Sequence, residues 1–515
     1  MNALEEEKHS AFYKLTVGTL LFVCLTLAFL YSGIWGFAIK YPFAIEYEGH
    51  VLWACLQLAQ GKNIYDLAGL SQEPWSVVIY NPLFIVVGAA LVNTFGNTFL
   101  PLRMLSMTAA LITFVTLGSL LKRSRCNDFH TIIAVTLFAS AVPVLHWSSV
   151  ARVDFLGLAL ALLSLERFVK AWLEKKDGRI SFSWAALLFA VAAFYAKQQY
   201  FVIMLAYVLF AFLKGQKRLS CVYLCSWISF VLLISSSIQV LTGGYWAHLS
   251  YASGLPWEWQ TIKPFISQFL LDPKTIAATA VVIWAGFKTS NKNKEEEVVV
   301  VDDDIDIWQL AALILATSLL LAAYTMGLRG AYHNHLLCSE FALFWLTGLS
   351  LKQLSVKVSS TLSTTLAAPL IVASALSLLQ LNAFGKELAY RQSMRVETES
   401  TISWLRKACK NKPILSEDPA LAIFAGATPV MIDATTLLNL AKVHPQALQA
   451  LVQRLKQKSY GAVIINIHDA KEHRGFIWRN QFLEAILENY HPANNSGGNG
   501  VAQIVFRPNN ETLNK

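Results

Sequence analysis

The sequence predicts an α-helical polytopic membrane protein of about eleven transmembrane helices, with a small C-terminal α/β extracytoplasmic domain. Two observations predict this class. Of the 515 residues, 55% are hydrophobic and only 15% are charged, whereas soluble proteins carry about a quarter charged residues. Long uncharged runs recur along the first three quarters of the chain, and charge rises only afterwards. We therefore divide the chain into a transmembrane module, 1–384, and an outer domain, 385–515.

The uncharged runs predict the individual spans. The first, "TVGTLLFVCLTLAFLYSGIWGFA" at 16–38, is long enough for a hydrocarbon core of about 30 Å. It is too long for a signal peptide and lacks a small-residue cleavage site, so we expect it to be retained. Weaker runs lie near 154–173 and 269–287. The other runs centre on 104–121, 129–149, 180–196, 198–213, 219–242, 307–328 and 358–382.

Basic clusters between the runs predict the orientation. The net charge of +9 is concentrated in five clusters, as the positive-inside rule produces, and does not indicate a nucleic-acid partner. All five become cytoplasmic if 81–96 does not cross, and that run has only about 14 apolar residues, a length typical of interfacial or re-entrant segments. The N-terminus is then cytoplasmic, and the first outer loop is 39–99. The clusters are 122–125, 174–179, 214–218, 288–294 and 351–357.

Other features of the chain limit its chemistry. The seven cysteines show no paired spacing, so no disulfide framework is predicted. No phosphate-binding loop, dinucleotide fingerprint or zinc-protease motif occurs, which leaves soluble nucleotide donors without a visible site. The acidic run at 294–306 is most simply a solvated, flexible connector. In the outer domain, the β-rich runs 429–433, 461–467 and 501–506 alternate with helix-like segments and predict a small α/β fold.

Two carboxylates, Glu46 and Glu48, stand where the chain leaves the first span. From Tyr47 onward the pattern is helical, which points Glu48 toward the apolar body of the protein. A carboxylate there is costly unless it is paired or used. A helix-capping or interfacial glutamate is the competing interpretation, and residue types alone do not separate the two.

More ionisable and polar groups lie at the predicted outer ends of other spans. Taken singly, each is compatible with a boundary residue that extends toward the headgroups. Together they suit an anionic lipid headgroup beside a proton-accepting group. His333 and His335 suggest a metal, but no third ligand is evident, so neither a metal nor another cofactor is predicted. The remaining candidates are His50, Tyr80, Arg103, Arg152, Asp154, Lys197, Arg329, Asn334 and Glu340.

Several segments resemble the GT-C glycosyltransferases. "LAQGKNIYDL", "YNPLFIVVGAALVNTFG" and "LRMLS" are similar to the first outer loop of the family 39-like branch, which includes protein O-mannosyltransferases and lipid A aminoarabinose transferases. "ARVDFLGLALALLSL", "YAKQQYF" and "NHLLCSEFALFWLTGL" fit bacterial members, and "ILSEDPALAIFAGATPVMID" looks like the outer domain that some of them carry. The order and spacing of these segments carry the resemblance, because none of them is highly specific.

The resemblance implies a hexosyl- or pentosyltransferase of the plasma (inner) membrane. Such an enzyme moves a sugar with inversion from a polyprenyl-phosphate carrier to a glycan, lipid or protein acceptor outside the cytoplasm. Glu48 matches the family's first-loop base and Asp154 its second acid. Many relatives carry an Asp-Glu pair, whereas Tyr47 precedes Glu48 here, so Glu46 is an alternative base.

Glycosyl transfer from a phosphate carrier also implies roles for the other candidate residues. The departing carrier phosphate needs cations, for which Lys197, Arg152, Arg329 and Arg103 are candidates. We expect four other polar residues to form the acceptor or sugar pocket: His50, Tyr80, Asn334 and His335.

A transporter or flippase of a lipid-linked or small anionic substrate is the main rival function. Its charges would be expected near the middle of spans, in broken helices of related halves. Here they gather at span ends and no internal repeat is evident. A non-catalytic scaffold, whose tail binds a partner, is a third alternative.

Overall fold

The structure is a computed structural model. Several predicted features lie outside the residues that it describes: the first span, most of the last span, Glu46 and Arg329. The described residues are 47–175, 180–253, 257–291, 302–328, 331–357, 369–370, 372, 398–409, 412–432, 445–466, 480–494 and 503–509.

Helices make up most of the described chain. Three short 3-10 helices, Leu67–Leu70, Gln198–Tyr200 and His333–Leu336, connect longer ones. In chain order the α-helices of the first part are α1 (Tyr47–Ala59), α2 (Leu83–Phe95), α3 (Leu100–Arg123), α4 (Asp128–Ala139), α5 (Val142–Trp147), α6 (Asp154–Leu173), α7 (Trp184–Ala196), α8 (Phe201–Leu213), α9 (Lys217–Thr242), α10 (Tyr245–Ser253), α11 (Trp259–Leu271), α12 (Pro273–Asn291), α13 (Asp302–Met326) and α14 (Leu337–Lys357).

Three described helices, α3, α9 and α13, are long and apolar enough to cross a membrane. Helices α11 and α12 meet at an angle of 64° and together satisfy the same test as one broken span. Helix α2, which covers the run expected not to cross, has 13 residues and is therefore only about 20 Å long. The total of about eleven spans and the placement of α2 at the outer surface stay predictions.

Helix α6 packs closely against its neighbours. Its apolar face, with Leu158, Leu162 and Leu165, is buried in the main core. Gly157 admits the ring of Tyr200, because a Cβ there would lie 2.6 Å from a ring carbon. Small residues at such contacts let helices approach closely, which favours packing where lipid offers no hydrophobic driving force.

The acidic segment before α13 differs from expectation. Residues 302–306 form the first turn of this helix rather than a flexible connector, since carboxylates are stabilised at a helix N-terminus. Asp304 pairs with Lys352 at 2.6 Å and Asp306 with Lys214 at 2.5 Å. Trp172 also donates to Asp306, at 3.1 Å. The expectation was wrong for 302–306, and 294–301 lies outside the described residues.

The described part of the tail contains a four-stranded sheet. Its strand order is β1-β2-β4-β3, with β1 and β2 parallel and the other pairs antiparallel. The predicted β-rich runs at 461–467 and 501–506 contain β2 and the start of β4, whereas 429–432 makes only isolated bridges. The elements are β1 (Ile414–Ser416), α15 (Pro419–Ala425), α16 (Pro445–Lys456), β2 (Ala462–Asn466), α17 (Asn480–Asn489), β3 (Tyr490–Asn494) and β4 (Gln503–Pro508).

The tail domain docks on the loop between α1 and α2. Trp75 donates from its backbone N–H to Val430 at 3.0 Å and accepts from Ile432 at 3.0 Å. Glu73 pairs with Arg454 at 2.5 Å and accepts from the hydroxyl of Tyr460 at 2.5 Å. The loop thus continues the tail's hydrogen-bonded layer and places the tail beside α1.

Candidate active site

Glu48 lies in the first turn of α1 and is completely buried. Arg103 donates to both carboxylate oxygens, from Nε at 2.8 Å and from Nη2 at 2.7 Å. The backbone N–H of Ala151 donates to Oε1, also at 2.8 Å. Such a bidentate arrangement requires the carboxylate form and fixes its orientation. The sequence placed this side chain in the body of the protein but did not identify its partner.

Arg103, in the first turn of α3, is 1% exposed. Its guanidinium also lies 5.1 Å from the centroid of the Phe99 ring, a cation–π contact. Arg103 was expected to be one of the phosphate-binding cations, whereas in the structure its guanidinium donates to Glu48. Removing either member of such a buried pair typically costs about 3–5 kcal/mol, because the other charge stays uncompensated.

Asp154, the first residue of α6, is the centre of a second buried group. Lys197 donates to its Oδ1, as does Asn334 at 2.7 Å. Arg152 Nε lies 3.5 Å from Oδ2. Lys197 comes from the two-helix junction after α7 and Asn334 from the 3-10 helix before α14. Residues far apart in sequence therefore converge on one carboxylate.

Arg152 lies between two aromatic rings. Its guanidinium carbon is 5.3 Å from the ring centroid of Tyr80 and 5.0 Å from that of Trp147, and it donates to the Tyr80 hydroxyl. Its backbone carbonyl accepts from Ser106 at 3.1 Å. Since the preceding residue, Ala151, binds Glu48, this short segment connects the two carboxylates.

The histidines near Asp154 are neutral at ordinary pH. Burial, reinforced by the charge of Lys197, lowers the pKa of His335 to about 3. Burial likewise lowers the pKa of His333 to about 4. His50 lies further along α1, with its ring centroid 5.9 Å from that of Tyr80. Because His333 and His335 are neutral, the net charge of this group comes only from the Asp154 carboxylate, Arg152 and Lys197.

The Asp154 group carries one net positive charge, because Arg152 and Lys197 face a single carboxylate. It also holds several buried polar atoms that have no hydrogen-bond partner among the described residues. This combination suits a polar ligand that is anionic. The unpartnered atoms are Asp154 Oδ2, Asn334 Oδ1, His335 Nδ1 and Gln198 Oε1.

A metal finds no ready-made ligand set in the described part of the chain, where no three or more His, Cys, Asp or Glu are arranged to hold one. The His333 and His335 pair therefore gains no third ligand from the residues described.

The sequence patterns did not single out three buried residues, Trp147, Lys274 and Asp418. Trp147 was read as part of an apolar span, and Lys274 as part of a weak one. Lys274 is fully buried, donates to the carbonyl of Ser140 at 2.5 Å and lies 3.7 Å from Asp272; a lysine inside an apolar run is itself a signal. Asp418 was also missed, although an aspartate before a proline is typical of a helix start.

Comparisons with known proteins identify the fold. No family model matches the sequence, and no curated protein sequence matches it. Among solved structures, ArnT from Cupriavidus metallidurans bound to undecaprenyl phosphate is 11% identical, with a TM-score of 0.57 over 94% of this chain and 97% of that one. ArnT in the apo state gives 11% identity and a TM-score of 0.55, over 95% and 98% of the two chains. The fold expected from the sequence is confirmed: this chain has the polytopic membrane fold seen in ArnT.

Proposed function

We propose that the protein is a membrane glycosyltransferase that moves a sugar from a polyprenyl-phosphate carrier to a cell-envelope acceptor, with inversion. The observation that carries the proposal is the buried, net-positive Asp154 group, with its unpartnered polar atoms. A fold that holds undecaprenyl phosphate in ArnT adds support. A buried cationic centre of this kind suits the phosphate of a lipid carrier.

The reaction divides between the two buried groups. The acceptor oxygen forms a bond to the anomeric carbon, while the bond from that carbon to the phosphate oxygen breaks. The electron pair of the broken bond leaves with the polyprenyl phosphate, whose charge Arg152 and Lys197 stabilise. Lysine has three donors, of which one is directed at Asp154, so Lys197 retains capacity for a phosphate oxygen.

Glu48 receives the acceptor's proton in this proposal. Its hydrogen bonds from Arg103 and from the N–H of Ala151 fix the orientation of the carboxylate. The proton passes to Glu48 as the bond from the acceptor oxygen to the anomeric carbon forms, because that bond makes the acceptor O–H more acidic. Arg103 orients Glu48, and Asp154 holds the two phosphate-binding cations.

The remaining candidates complete the proposed site. His50, Tyr80, Asn334 and His335 line the sugar or acceptor pocket, and the proposal assigns no step to a metal. Arg329 remains a proposed phosphate cation and Glu46 an alternative base; both lie outside the described residues.

Carrier binding tests the proposal directly. Purified protein in nanodiscs is titrated with undecaprenyl phosphate and, separately, with undecaprenol, which lacks the phosphate. We expect the phosphate to bind more tightly, and Arg152→Ala and Lys197→Ala each to weaken it by about 10- to 150-fold, the equivalent of a lost charged hydrogen bond of about 1.5–3 kcal/mol. Lys352→Ala, whose lysine pairs with Asp304 far from Asp154, is the control. Equal binding of phosphate and alcohol refutes the proposal.

Product analysis separates a transferase from a transporter. A transferase releases polyprenyl phosphate and leaves the sugar on an acceptor, which mass spectrometry of envelope glycans with and without the protein detects. A transporter or flippase moves its substrate with the sugar–phosphate bond intact.

A further inference from the structure

The tail domain touches the peptide segment that carries Glu48. Gly49 follows Glu48 directly, and a Cβ on Gly49 would lie 2.4 Å from Asp418 Oδ1 and 2.9 Å from the backbone nitrogen of Ala420. Both distances are far below van der Waals contact. The first turn of α1 therefore rests on the start of α15, at a position where a side chain on residue 49 has no room.

Asp418 is fixed in place by its own chain. Its Oδ1 accepts from the N–H of Ala420 at 2.9 Å, which caps α15, and its own N–H donates to Ser416 Oγ at 3.2 Å. The side chain is 2% exposed. Asp418 thus presents a rigid surface to Gly49.

A second contact reaches the partner of Glu48. The ring of Phe424, in α15, meets the ring of Phe99 edge to face, with centroids 5.5 Å apart. Phe99 in turn lies 5.1 Å from the guanidinium of Arg103. The same short tail helix therefore contacts Gly49, next to Glu48, and Phe99, which lies against Arg103.

We propose that the tail domain is a working part of the catalytic centre, in which Asp418 is a positioning residue that holds the first turn of α1, and with it Glu48. The inference rests on the proposed role of Glu48. The docking of Trp75 and Glu73 on the tail keeps α15 at this contact.

The charge state of Asp418 agrees with a positioning role. Burial, with the charge of Glu48 adding to it, raises the pKa of Asp418 well above its usual range. A raised pKa favours the neutral form of Asp418, which does not repel Glu48. Asparagine has the same shape, the same capping oxygen and no charge, so it is the conservative replacement.

Two substitutions test the contact. We expect Asp418→Ala to lower kcat about tenfold and Gly49→Ala about 100-fold, because a displacement of about 1 Å in a catalytic group costs about 10²-fold. Affinity for undecaprenyl phosphate stays unchanged in both, since the Asp154 group is untouched. Asp418→Asn should restore kcat to within about twofold of wild type, because it keeps the cap.

Matched controls separate positioning from general damage. Asp66→Ala removes the equivalent cap from Leu67–Leu70, where Asp66 accepts from Ala68 at 3.1 Å. Gly286→Ala adds a Cβ that meets nothing within 4 Å. Both should turn over like wild type. The inference is refuted if Asp418→Ala and Gly49→Ala match these controls in kcat per folded molecule, or if they lose carrier affinity instead. If the wild-type protein transfers no sugar, the result refutes the proposed function and does not test the positioning role of Asp418.

Discussion

Helices α3 and α6 carry arginine–carboxylate contacts at both ends, but the arginines are buried at one end and partly exposed at the other. At the start of these helices, Arg103 binds Glu48 and Arg152 lies beside Asp154, all nearly or fully buried. At the far end, Glu166 pairs with Arg123 at 2.5 Å and with Arg167 at 3.3 Å. With 24 residues, α3 separates its two ends by about 35 Å.

The cations distinguish the two ends. At the far end Arg123 is 32% exposed, so water solvates its remaining donors. At the site end Lys197 is only 6% exposed and shares one carboxylate with Arg152. A buried excess of positive charge is expensive unless a ligand completes it. The cations at the far end are partly solvated, whereas the site end holds a buried excess of positive charge, which agrees with the proposed anionic ligand.

Replacing the two buried glutamates by glutamine gives the largest expected contrast. Glu48→Gln leaves the buried Arg103 charge uncompensated, so it should reduce the free energy of unfolding by about 3–5 kcal/mol. Glu166→Gln should cost less, about 1–3 kcal/mol, because Arg123 is 32% exposed to solvent. Only Glu48→Gln removes the proposed base, which should lower kcat by about 10²- to 10⁴-fold. Turnover per folded molecule is measured beside carrier affinity, which should survive in both variants.

The opposite pattern would reverse the assignment. If Glu48→Gln keeps its turnover, Glu48 is as structural as Glu166, and Asp154 or Glu46 must serve as base. If Glu166→Gln loses turnover while folded, the difference between the two ends is not functional.

Local sequence signals predicted the Glu48 helix but not its surroundings. The helical period from Tyr47 correctly placed Glu48 on a buried side. Its partners are 55 and 103 residues away, and no periodicity encodes which distant arginine or backbone N–H will meet a given carboxylate. Arg103 was recognised as a boundary cation, yet its pairing with Glu48 depends on how three helices cross.

In the C-terminal sheet, too, the sequence predicted some strands but not their pairing. Apolar, β-branched runs marked β2 and β4, because their side chains pack on a sheet face. Strand β1 has only three residues and β3 contains a proline, so neither gives a strand pattern. Their pairing, like the contact of Asp418 with Gly49, is set by tertiary packing.

Lys197→Arg should change the pH dependence of carrier use. Burial lowers the pKa of Lys197, an effect that the charge of Asp154 opposes. Lys197 therefore loses its proton at a lower pH than an ordinary lysine, and kcat/KM for the carrier should fall about tenfold per pH unit above that pKa. Arginine stays charged throughout, so the variant should lack this alkaline decline.

Lys352→Arg makes the same exchange at the far end, where Lys352 pairs with Asp304 at 2.6 Å. It should leave the wild-type profile unaltered. An alkaline decline that persists in Lys197→Arg belongs to another group, and Lys197 then does not bind the phosphate through its charge.

His335→Gln should have the smallest effect. His335 is neutral above its depressed pKa, so replacing it should leave the shape of the rate profile between pH 5 and 8 unchanged and lower kcat/KM by about 2- to 10-fold, one neutral hydrogen bond. Stability should respond differently. The unfolded chain binds a proton at an ordinary histidine pKa of about 6.5, whereas the folded protein does not, so His335 destabilises the fold increasingly as pH falls below that value. Melting temperatures from pH 7 to 4 should therefore decline less steeply in His335→Gln than in wild type. Equal slopes would show that His335 is protonated in the folded protein, which would add a cation to the site and change its charge.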